Sequence, residues 1–268
     1  MRQPLSEHEA AEIAAVADEL ADAARAATLL HFRSAGLSAE SKETLRFDPV
    51  TVADRLAEDR MREILARRRP QDAILGEEYG ARPGTSGLTW VLDPIDGPRG
   101  YLAGTPTWGV LIPVSDAGGP VYGVIDQPYI GERFLGGLGR AAMTGPQGAQ
   151  ALRSRPARPL SEAILFTTFP EVGTPAEAAA FRRVAAEVRL VRYGMDCYAY
   201  ALLAAGQIDL VIEAGLQAYD IQAPMAVIEA AGGIVTDWQG RPCQQGGQVL
   251  AAANPAVHAA ALARLNAA

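Results

Sequence analysis

The stretch Leu88-Thr-Trp-Val-Leu-Asp-Pro-Ile-Asp-Gly97 constrains the fold of this chain most strongly. Its apolar start, with β-branched and aromatic residues, predicts a buried strand that ends at two carboxylates flanking a proline. Pro94 fixes one backbone dihedral between Asp93 and Asp96, and Gly97 permits the dihedrals of a sharp exit turn. Two acidic side chains on a stiff turn suit Mg²⁺, which prefers oxygen ligands. Asp-Pro and Asp-Gly are also ordinary turn dipeptides, so a structural turn is the alternative interpretation.

Composition restricts the class of protein. The 268-residue chain is 49% hydrophobic and 21% charged, which allows a large core in one domain or in two closely packed halves. Its formal charge of −7, without a long basic tract, argues against nucleic acid as a partner. No apolar stretch is long enough to span a bilayer, the N-terminus lacks a secretory pattern, and two cysteines cannot form a disulfide framework. We therefore expect a cytoplasmic protein without a membrane partner.

Helical periodicity marks two helices near the N-terminus. Residues 6–34 place apolar side chains at helical spacing behind a capping box that begins at Ser6. The segment Phe47-Asp-Pro-Val-Thr-Val-Ala-Asp54 leads into the second helix. Thr51 or Asp54 is suited to cap that helix, which is the commonest task of such residues at a helix start.

A sheet follows, and then an alternation of strands and helices. The segment Ala73-Ile-Leu-Gly-Glu-Glu78 predicts a short strand ending in two carboxylates, either a solvated turn or the source of a further metal ligand. Further antiparallel strands are predicted over residues 108–114, 121–128 and 133–138. Residues 139–159 are polar and rich in Gly and Pro, which predicts a boundary between an N-terminal half (1–145) and a C-terminal half (146–268). The strand–helix alternation after this boundary predicts a layered α/β arrangement.

In the second half, two acidic residues are predicted at helix starts. Asp196 is expected as the cap of a helix that ends near Gly206, and Asp220 opens a helix that runs to Ala231. Pro224 is compatible with that second helix because it is expected within the first turn.

Four carboxylates are therefore expected at strand ends or helix starts, where ligands gather in layered α/β structures: Glu77, Asp93, Asp96 and Asp220. Converging carboxylates repel one another, and bound cations resolve the repulsion. Such a pocket in an acidic protein points to a phosphorylated substrate whose charge the metals neutralise. The natural reaction is hydrolysis, in which one metal activates a water and another stabilises the leaving oxygen.

The motifs, taken in order, resemble the inositol monophosphatase family over about residues 42–240. They are Asp48-Pro-Val-Thr-Val-Ala-Asp54, Gly76-Glu-Glu78, Trp90-Val-Leu-Asp-Pro-Ile-Asp-Gly97, Tyr219-Asp220 and Glu229-Ala-Ala-Gly-Gly233. The resemblance implies a five-layer α-β-α-β-α sandwich and Mg²⁺-dependent hydrolysis of phosphate monoesters, with two or three Mg²⁺ per site. It also implies sensitivity to lithium and a homodimer.

Within the family, the chain most resembles the bacterial histidinol-phosphatase branch. Two segments carry this likeness, Gln127-Pro-Tyr-Ile-Gly-Glu-Arg-Phe-Leu-Gly136 and Arg192-Tyr-Gly-Met-Asp-Cys-Tyr-Ala-Tyr200. The likeness implies hydrolysis of histidinol phosphate to histidinol and phosphate, with inositol 1-phosphate or another sugar or nucleotide phosphate as the alternative substrate. Asp196 would bind a cationic amine or imidazolium, unless it is only the helix cap.

The resemblance also implies roles for individual residues. The first metal would be bound by Glu77, Asp93 and the backbone carbonyl of Ile95, and the second by Asp93, Asp96 and Asp220. The implied catalytic residues are Glu77, which helps to orient the water, Asp48 and Thr51. The implied substrate-binding residues are Asp96, Gly97, Pro98, Asp196 and Glu213. Glu213 matches a contact to a substrate hydroxyl, and its alternative is an exposed strand end.

One position departs from the family pattern. The family continues Asp-Gly-Thr, whereas this chain has Asp96-Gly-Pro98. The family threonine orders the attacking water together with the aspartate that matches Asp48, and its N–H helps to hold phosphate at a helix start. Proline suits the first helical position but offers neither group, and losing one pre-organised donor costs on the order of a hundredfold in rate. A catalytically impaired, ligand-binding member is therefore a second alternative.

Overall fold

The computed structural model describes residues 5–34, 40–41 and 49–267. The helices are α1 (Glu7–His31), α2 (Val52–Arg68), α3 (Pro98–Ala103), α4 (Pro175–Ala185), α5 (Asp196–Ala204), α6 (Ala218–Ala230) and α7 (Pro255–Leu265). The strands are β1 (Glu40–Ser41), β2 (Pro49–Val50), β3 (Ala73–Gly76), β4 (Gly80–Arg82), β5 (Thr89–Asp96), β6 (Gly109–Asp116), β7 (Gly119–Gln127), β8 (Glu132–Gly137), β9 (Arg140–Gly145), β10 (Gly148–Ala151), β11 (Ile164–Thr167), β12 (Leu190–Tyr193), β13 (Leu210–Leu216), β14 (Ile234–Thr236) and β15 (Gly247–Ala252).

Two sheets alternate with three layers of helices. The larger sheet has the order β10-β9-β8-β7-β6-β5-β3-β4, and all its pairs are antiparallel except β3 with β5. The smaller sheet has the order β12-β11-β13-β15-β14, in which β11 runs parallel to both of its neighbours. Helices α1 and α2 contact the larger sheet, α5 and α6 contact both sheets, and α7 packs on β15 beside α4. The predicted α-β-α-β-α sandwich is confirmed.

The N-terminal helices form as the sequence predicts. The capping box of α1 is present, since Ser6 accepts from the backbone N–H of Glu9 and the Glu9 carboxylate accepts from Ser6. The apolar stripe that includes Ile13 and Leu20 is buried against α2 and the larger sheet. None of the helices in the described part of the chain is long and apolar enough to cross a membrane.

Helix α6 packs directly against the backbone of the larger sheet at two glycines, Gly123 on β7 and Gly136 on β8. A Cβ at Gly136 would lie 2.3 Å from the Cα of Val227, so any larger residue would push the helix away. The expectation that Pro224 lies in the first turn is wrong, because α6 begins at Ala218 and Pro224 is therefore its seventh residue. Proline has no N–H to donate to the carbonyl of the residue four positions earlier, so α6 forms with one fewer hydrogen bond in its backbone ladder.

The polar segment expected as a boundary contains two strands that the sequence did not predict. β9 and β10 form a hairpin at the edge of the larger sheet, so the first sheet continues beyond residue 145. Every residue of β10 is exposed, and such a strand has no alternation of apolar and polar side chains to reveal it. The division of the chain into residues 1–145 and 146–268 stays a prediction.

Candidate active site

The C-terminal end of β5 carries two aspartates, Asp93 and Asp96, whose carboxylates lie close together. Asp93 pairs with Leu111 and Asp96 with Gly109, so β5 has one extra residue between them and bulges there. The N–H of Ile95 donates to Oδ1 of Asp93 at 3.1 Å, which fixes that carboxylate within the bulge. The predicted strand is present as β5, and α3 begins directly after Gly97.

A buried glutamate positions the neighbouring turn at Glu77. Both carboxylate oxygens of Glu58, on α2, are used: Oε2 accepts from the N–H of Glu78 at 2.7 Å, and Oε1 accepts from Nε of Arg62 at 2.6 Å. A Cβ at Gly76 would lie 1.9 Å from Oε1 of Glu58, so any larger residue there would displace the Glu58 carboxylate. Glu58 was not predicted as a functional residue, although a glutamate on the same helix face as the buried Met61 is a signal of a buried polar role.

Three aspartates converge at the centre of the site. One carboxylate oxygen from each of Asp93, Asp96 and Asp220 lies within 4.8 Å of the others, and Asp93 is buried. Asp220 is supplied by the first turn of α6, where its Oδ2 accepts from the N–H of Gln217 at 2.6 Å. The geometry brings together three of the four predicted carboxylate ligands.

The electrostatics of this cluster favour a cation. Burial raises the pKa of Asp93 well above its usual range, and the charges of Glu77, Asp96 and Asp220 raise it further. Glu77 also shares a hydrogen bond with Asp93, which places the fourth predicted carboxylate at the cluster. Burial likewise raises the pKa of Asp96, and the charges of Asp196 and then Asp220 raise it further. Clustered carboxylate oxygens are the donor set that Mg²⁺ prefers, so these residues fit the metal.

A cavity of about 640 Å³ opens beside the aspartates. Its lining includes Asp96, Asp220, Pro98 and three further carboxylates, namely Asp196, Glu213 and the exposed Glu171. Two of the predicted metal-binding residues, Asp96 and Asp220, therefore share one cavity with the predicted substrate-binding residues. The loop after β11 forms part of the opposite wall.

Glu213 is buried in the middle of β13, so the alternative of an exposed strand end is wrong. Its Oε1 accepts from the N–H of Thr168 at 2.9 Å and from the Thr168 hydroxyl at 2.5 Å. Its Oε2 accepts from the hydroxyl of Tyr200 at 2.7 Å. Three donors therefore fix the direction of this carboxylate.

Asp196 does not cap α5. The cap is Met195, and Asp196 is the first residue of the helix, with a φ of 45° that is rare for a residue with a side chain. Its carboxylate lies against Gly97, where a Cβ would come within 2.7 Å of the Asp196 Cγ. Burial, and then the charge of Glu213, raises the pKa of Asp196 to about 7, against the opposite effect of Arg99.

Two residues at the mouth of the cavity were not predicted. The guanidinium of Arg99 lies 4.7 Å from the ring centre of Phe169, which is 46% exposed. Arg99 directly follows the Asp96-Gly-Pro98 turn, and this position is the signal in the sequence that could have placed Arg99 near the site. Phe169 lies in the loop after β11, and its partner lies on α3, about seventy residues earlier in the chain, so no local pattern reveals it.

Thr51 is the N-cap of α2. Its hydroxyl donates to Oδ2 of Asp54 at 2.7 Å and accepts from the N–H of Ala53 at 3.1 Å. The capping interpretation is confirmed, and the catalytic role of Thr51 stays a prediction. Asp48 lies outside the described residues.

Sequence comparison assigns the chain to the same family that its motifs resemble. The profile of the inositol monophosphatase family matches residues 9–268. The chain belongs to this family. Its members are metal-dependent enzymes that hydrolyse phosphomonoesters, and this inositol monophosphatase family protein is accordingly a phosphoric monoester hydrolase.

Proteins similar to this family member are named for different phosphatase activities. A chloroplastic bifunctional phosphatase of Arabidopsis thaliana is 41% identical over 239 residues, covering 88% of this chain and 67% of the relative. A histidinol-phosphatase of Mycobacterium tuberculosis is 34% identical over 251 residues, covering 92% of this chain and 95% of the relative. The structure of an inositol monophosphatase from Zymomonas mobilis superposes with a TM-score of 0.84 at 34% identity, covering 98% of this chain and 100% of the other.

Proposed function

We propose that this enzyme hydrolyses a small phosphomonoester that carries a positive charge, namely histidinol phosphate, to histidinol and phosphate. The observation that carries the proposal is the presence of Asp196 and Glu213 in the same cavity as Asp96 and Asp220. A phosphate held at the aspartate cluster leaves the other end of a small substrate beside a second pair of negative charges. An amine or imidazolium there gains Coulomb energy, which is larger in a partly buried site than in water. The histidinol-phosphatase relative supports the same substrate.

The proposed ligands of a first Mg²⁺ are Glu77, Asp93 and the carbonyl of Ile95, and those of a second are Asp93, Asp96 and Asp220, with two or three ions per site. When bound, the cations lower the pKa of the attacking water and stabilise charge on the leaving oxygen. The protein itself aims the carboxylates by the bulge in β5 and by the bonds that Glu58 makes to the turn before them. Glu77 also accepts a hydrogen bond from the attacking water and so orients it.

Pro98 determines how much of the family's water-ordering apparatus this chain keeps. It is the first residue of α3 and lines the cavity, but it has neither a hydroxyl nor an N–H. We expect Pro98→Thr to raise kcat by up to about a hundredfold, because it restores a pre-organised donor. An unchanged kcat, with the variant folded, would show that another group already orders the water. A wild-type chain without turnover, rescued by this change, would identify a natural ligand-binding member.

The substrate proposal is tested by Mg²⁺-dependent phosphate release from histidinol phosphate and from inositol 1-phosphate. Asp196→Asn keeps the shape of the side chain and removes its charge. We expect kcat/KM for histidinol phosphate to fall about tenfold, the loss of about 1.4 kcal/mol of charge attraction, with little change for inositol 1-phosphate. The matched control is Glu171→Gln, which removes an exposed carboxylate from the same cavity, where solvent screens the charge. Equal losses on both substrates in Asp196→Asn would dismiss the role of Asp196.

Inositol 1-phosphate is the second candidate substrate. Glu213 is held as an acceptor and is suited to a substrate hydroxyl as well as to a cation. The likeness to the inositol monophosphatase from Zymomonas mobilis supports this candidate. A preference of the wild-type enzyme for inositol 1-phosphate would keep the metal-assisted mechanism and replace the substrate.

We also propose that the enzyme is a homodimer and is inhibited by lithium, and family membership supports both statements. Sedimentation analysis tests the first proposal, and a monomer at micromolar concentration would contradict it. Phosphate release measured with increasing Li⁺ at constant ionic strength tests the second, with Na⁺ as the matched control.

A further inference from the structure

Helix α5 donates hydrogen bonds to two carboxylates that line the cavity. Near its start, the N–H of Cys197 donates to Oδ2 of Asp96 at 2.5 Å. One turn later, the hydroxyl of Tyr200 donates to Oε2 of Glu213 at 2.7 Å. Asp196 is the first residue of the same helix and lies about 6 Å along its axis from Tyr200. One helix therefore contacts both Asp96, a proposed metal ligand, and Glu213, a proposed contact of the rest of the substrate.

The two contacted carboxylates belong to different sheets. Asp96 ends β5 of the larger sheet, and Glu213 lies on β13 of the smaller sheet. Their separation therefore depends on elements that pack between the sheets, and α5 contacts strands of both. Tyr200 itself is buried, with 2% of its surface exposed, so its ring has one position in which to hold the hydroxyl.

All the hydrogen-bond donors that the structure places on Glu213 are neutral: the N–H and the hydroxyl of Thr168, and the hydroxyl of Tyr200. The contrast is Asp126, another buried carboxylate, which two arginines hold, Arg25 and Arg133. An arginine orients a carboxylate and also cancels its charge, whereas a hydroxyl orients it and leaves the charge in place. Glu213 is thus held with its negative charge directed at the cavity.

We infer that Tyr200 is a positioning residue for substrate specificity, which acts by holding Glu213 at a fixed distance and direction from the aspartate cluster. This inference rests on the proposed function, because it assigns Glu213 to the end of the substrate remote from the phosphate. Without the hydroxyl, Oε2 of Glu213 loses a buried donor, and the carboxylate stays bound only through Oε1 to Thr168. The carboxylate then turns about its remaining bonds, and a substrate cation meets the charge in a less favourable position.

The test compares a cationic substrate with one that has neither a cation nor a hydroxyl. Tyr200→Phe keeps the ring and removes only the hydroxyl. We expect its KM for histidinol phosphate to rise about tenfold with kcat nearly unchanged, because the lost interaction binds ground state and transition state alike. For p-nitrophenyl phosphate, both constants should stay within about twofold of the wild-type values. Histidinol as an inhibitor of p-nitrophenyl phosphate hydrolysis should lose affinity about tenfold in the same variant.

A matched control lies on the same helix. The hydroxyl of Tyr198 donates to Glu132 on β8 at 2.7 Å and takes no part in holding Glu213. Tyr198→Phe should therefore leave both substrates unaffected. Thr168→Val serves as a second variant if Tyr200→Phe fails to fold, and Thr168→Ser should restore the wild-type KM because it keeps the hydroxyl.

The outcomes separate the inference from the proposed function. A wild-type enzyme that hydrolyses p-nitrophenyl phosphate but neither hydrolyses histidinol phosphate nor binds histidinol contradicts the proposed substrate, and the inference falls with it. A wild-type enzyme that uses histidinol phosphate, with Tyr200→Phe unchanged on both substrates, overturns the inference alone. Equal losses on both substrates overturn it too, because they assign Tyr200 a general structural role. A rise in KM confined to the cationic substrate supports it.

Discussion

Buried carboxylates in this molecule have two kinds of surroundings. Asp126 faces arginines, with Arg25 at 2.6 Å and Arg133 at 2.8 Å from its Oδ1. The pKa of Asp93, in contrast, is raised by its burial and by the acidic groups around it, Asp96 among them. The first arrangement ties α1 to the larger sheet, and the second gathers negative charge at the end of one strand.

The difference separates stabilising charges from functional ones. Breaking a buried ion pair by removing one partner costs several kcal/mol, since the other charge stays buried and uncompensated. A cluster of like charges has the opposite effect on stability. Its repulsion lowers the free energy of unfolding of the metal-free protein, and a bound cation removes that repulsion. Exchanging a carboxylate for its amide should therefore have opposite consequences in the two places.

The largest effect is expected at the centre of the acidic cluster. Asp93→Asn should lower kcat/KM by more than about a hundredfold, because groups that merely support a metal ligand are already worth ten- to a hundredfold. The metal-free variant should melt at a higher temperature than the metal-free wild type, because one of the repelling charges is gone. Steady-state phosphate release and calorimetry in a chelator measure both quantities. A metal-free variant that melts lower than the wild type would remove the distinction between the two kinds of carboxylate.

The next effect is expected at the arginine-paired carboxylate. Asp126→Asn leaves two arginines facing an uncharged amide and should cost about 3 kcal/mol of unfolding free energy. For a chain of this size, that corresponds to a melting temperature lower by roughly 6–12 °C. Below that temperature, kcat/KM should match the wild type, because Asp126 holds α1 and not the site. A specific loss of activity in the folded variant would show that this ion pair also shapes the site.

A smaller effect, on both stability and Mg²⁺ binding, is expected at Glu58, which has an arginine partner and also contacts the site. Glu58 pairs with Arg62 and also accepts from the turn that carries Glu77. Glu58→Gln should lower the stability modestly and weaken Mg²⁺ binding by about tenfold, as for other residues that support a metal ligand. Isothermal calorimetry with Mg²⁺ measures the second effect. A change in stability with unaltered Mg²⁺ affinity would restrict Glu58 to the ion pair.

The parts of the site that are local in sequence could be predicted from it. The strand through Asp93, the turn at Gly97 and the helical turn after it follow from a short pattern of apolar, acidic and special residues. The capping boxes of α1 and α2 are equally local, because each links residues three apart.

The parts that depend on packing could not be predicted. Asp196 follows a glycine-containing turn and is a residue type that commonly caps helices, yet it has a left-handed conformation and its side chain lies against Gly97, about a hundred residues earlier in the chain. Glu58 lies twenty residues from the turn that it holds. The hairpin of β9 and β10 is exposed and lacks the alternation that marks a half-buried strand.

Thermal unfolding of the wild type, Asp93→Asn and Asp126→Asn across a Mg²⁺ titration tests the central claim most directly, namely that the acidic cluster is arranged for divalent cations. Saturation to about a hundred times the dissociation constant should stabilise the wild type by about 2.7 kcal/mol. The melting temperature should then rise by roughly 5–10 °C in the wild type and in Asp126→Asn, but not in Asp93→Asn. The claim would be contradicted if Mg²⁺ did not change the melting temperature of the wild type. It would also be contradicted if Mg²⁺ raised the melting temperature of Asp93→Asn as much as that of the wild type.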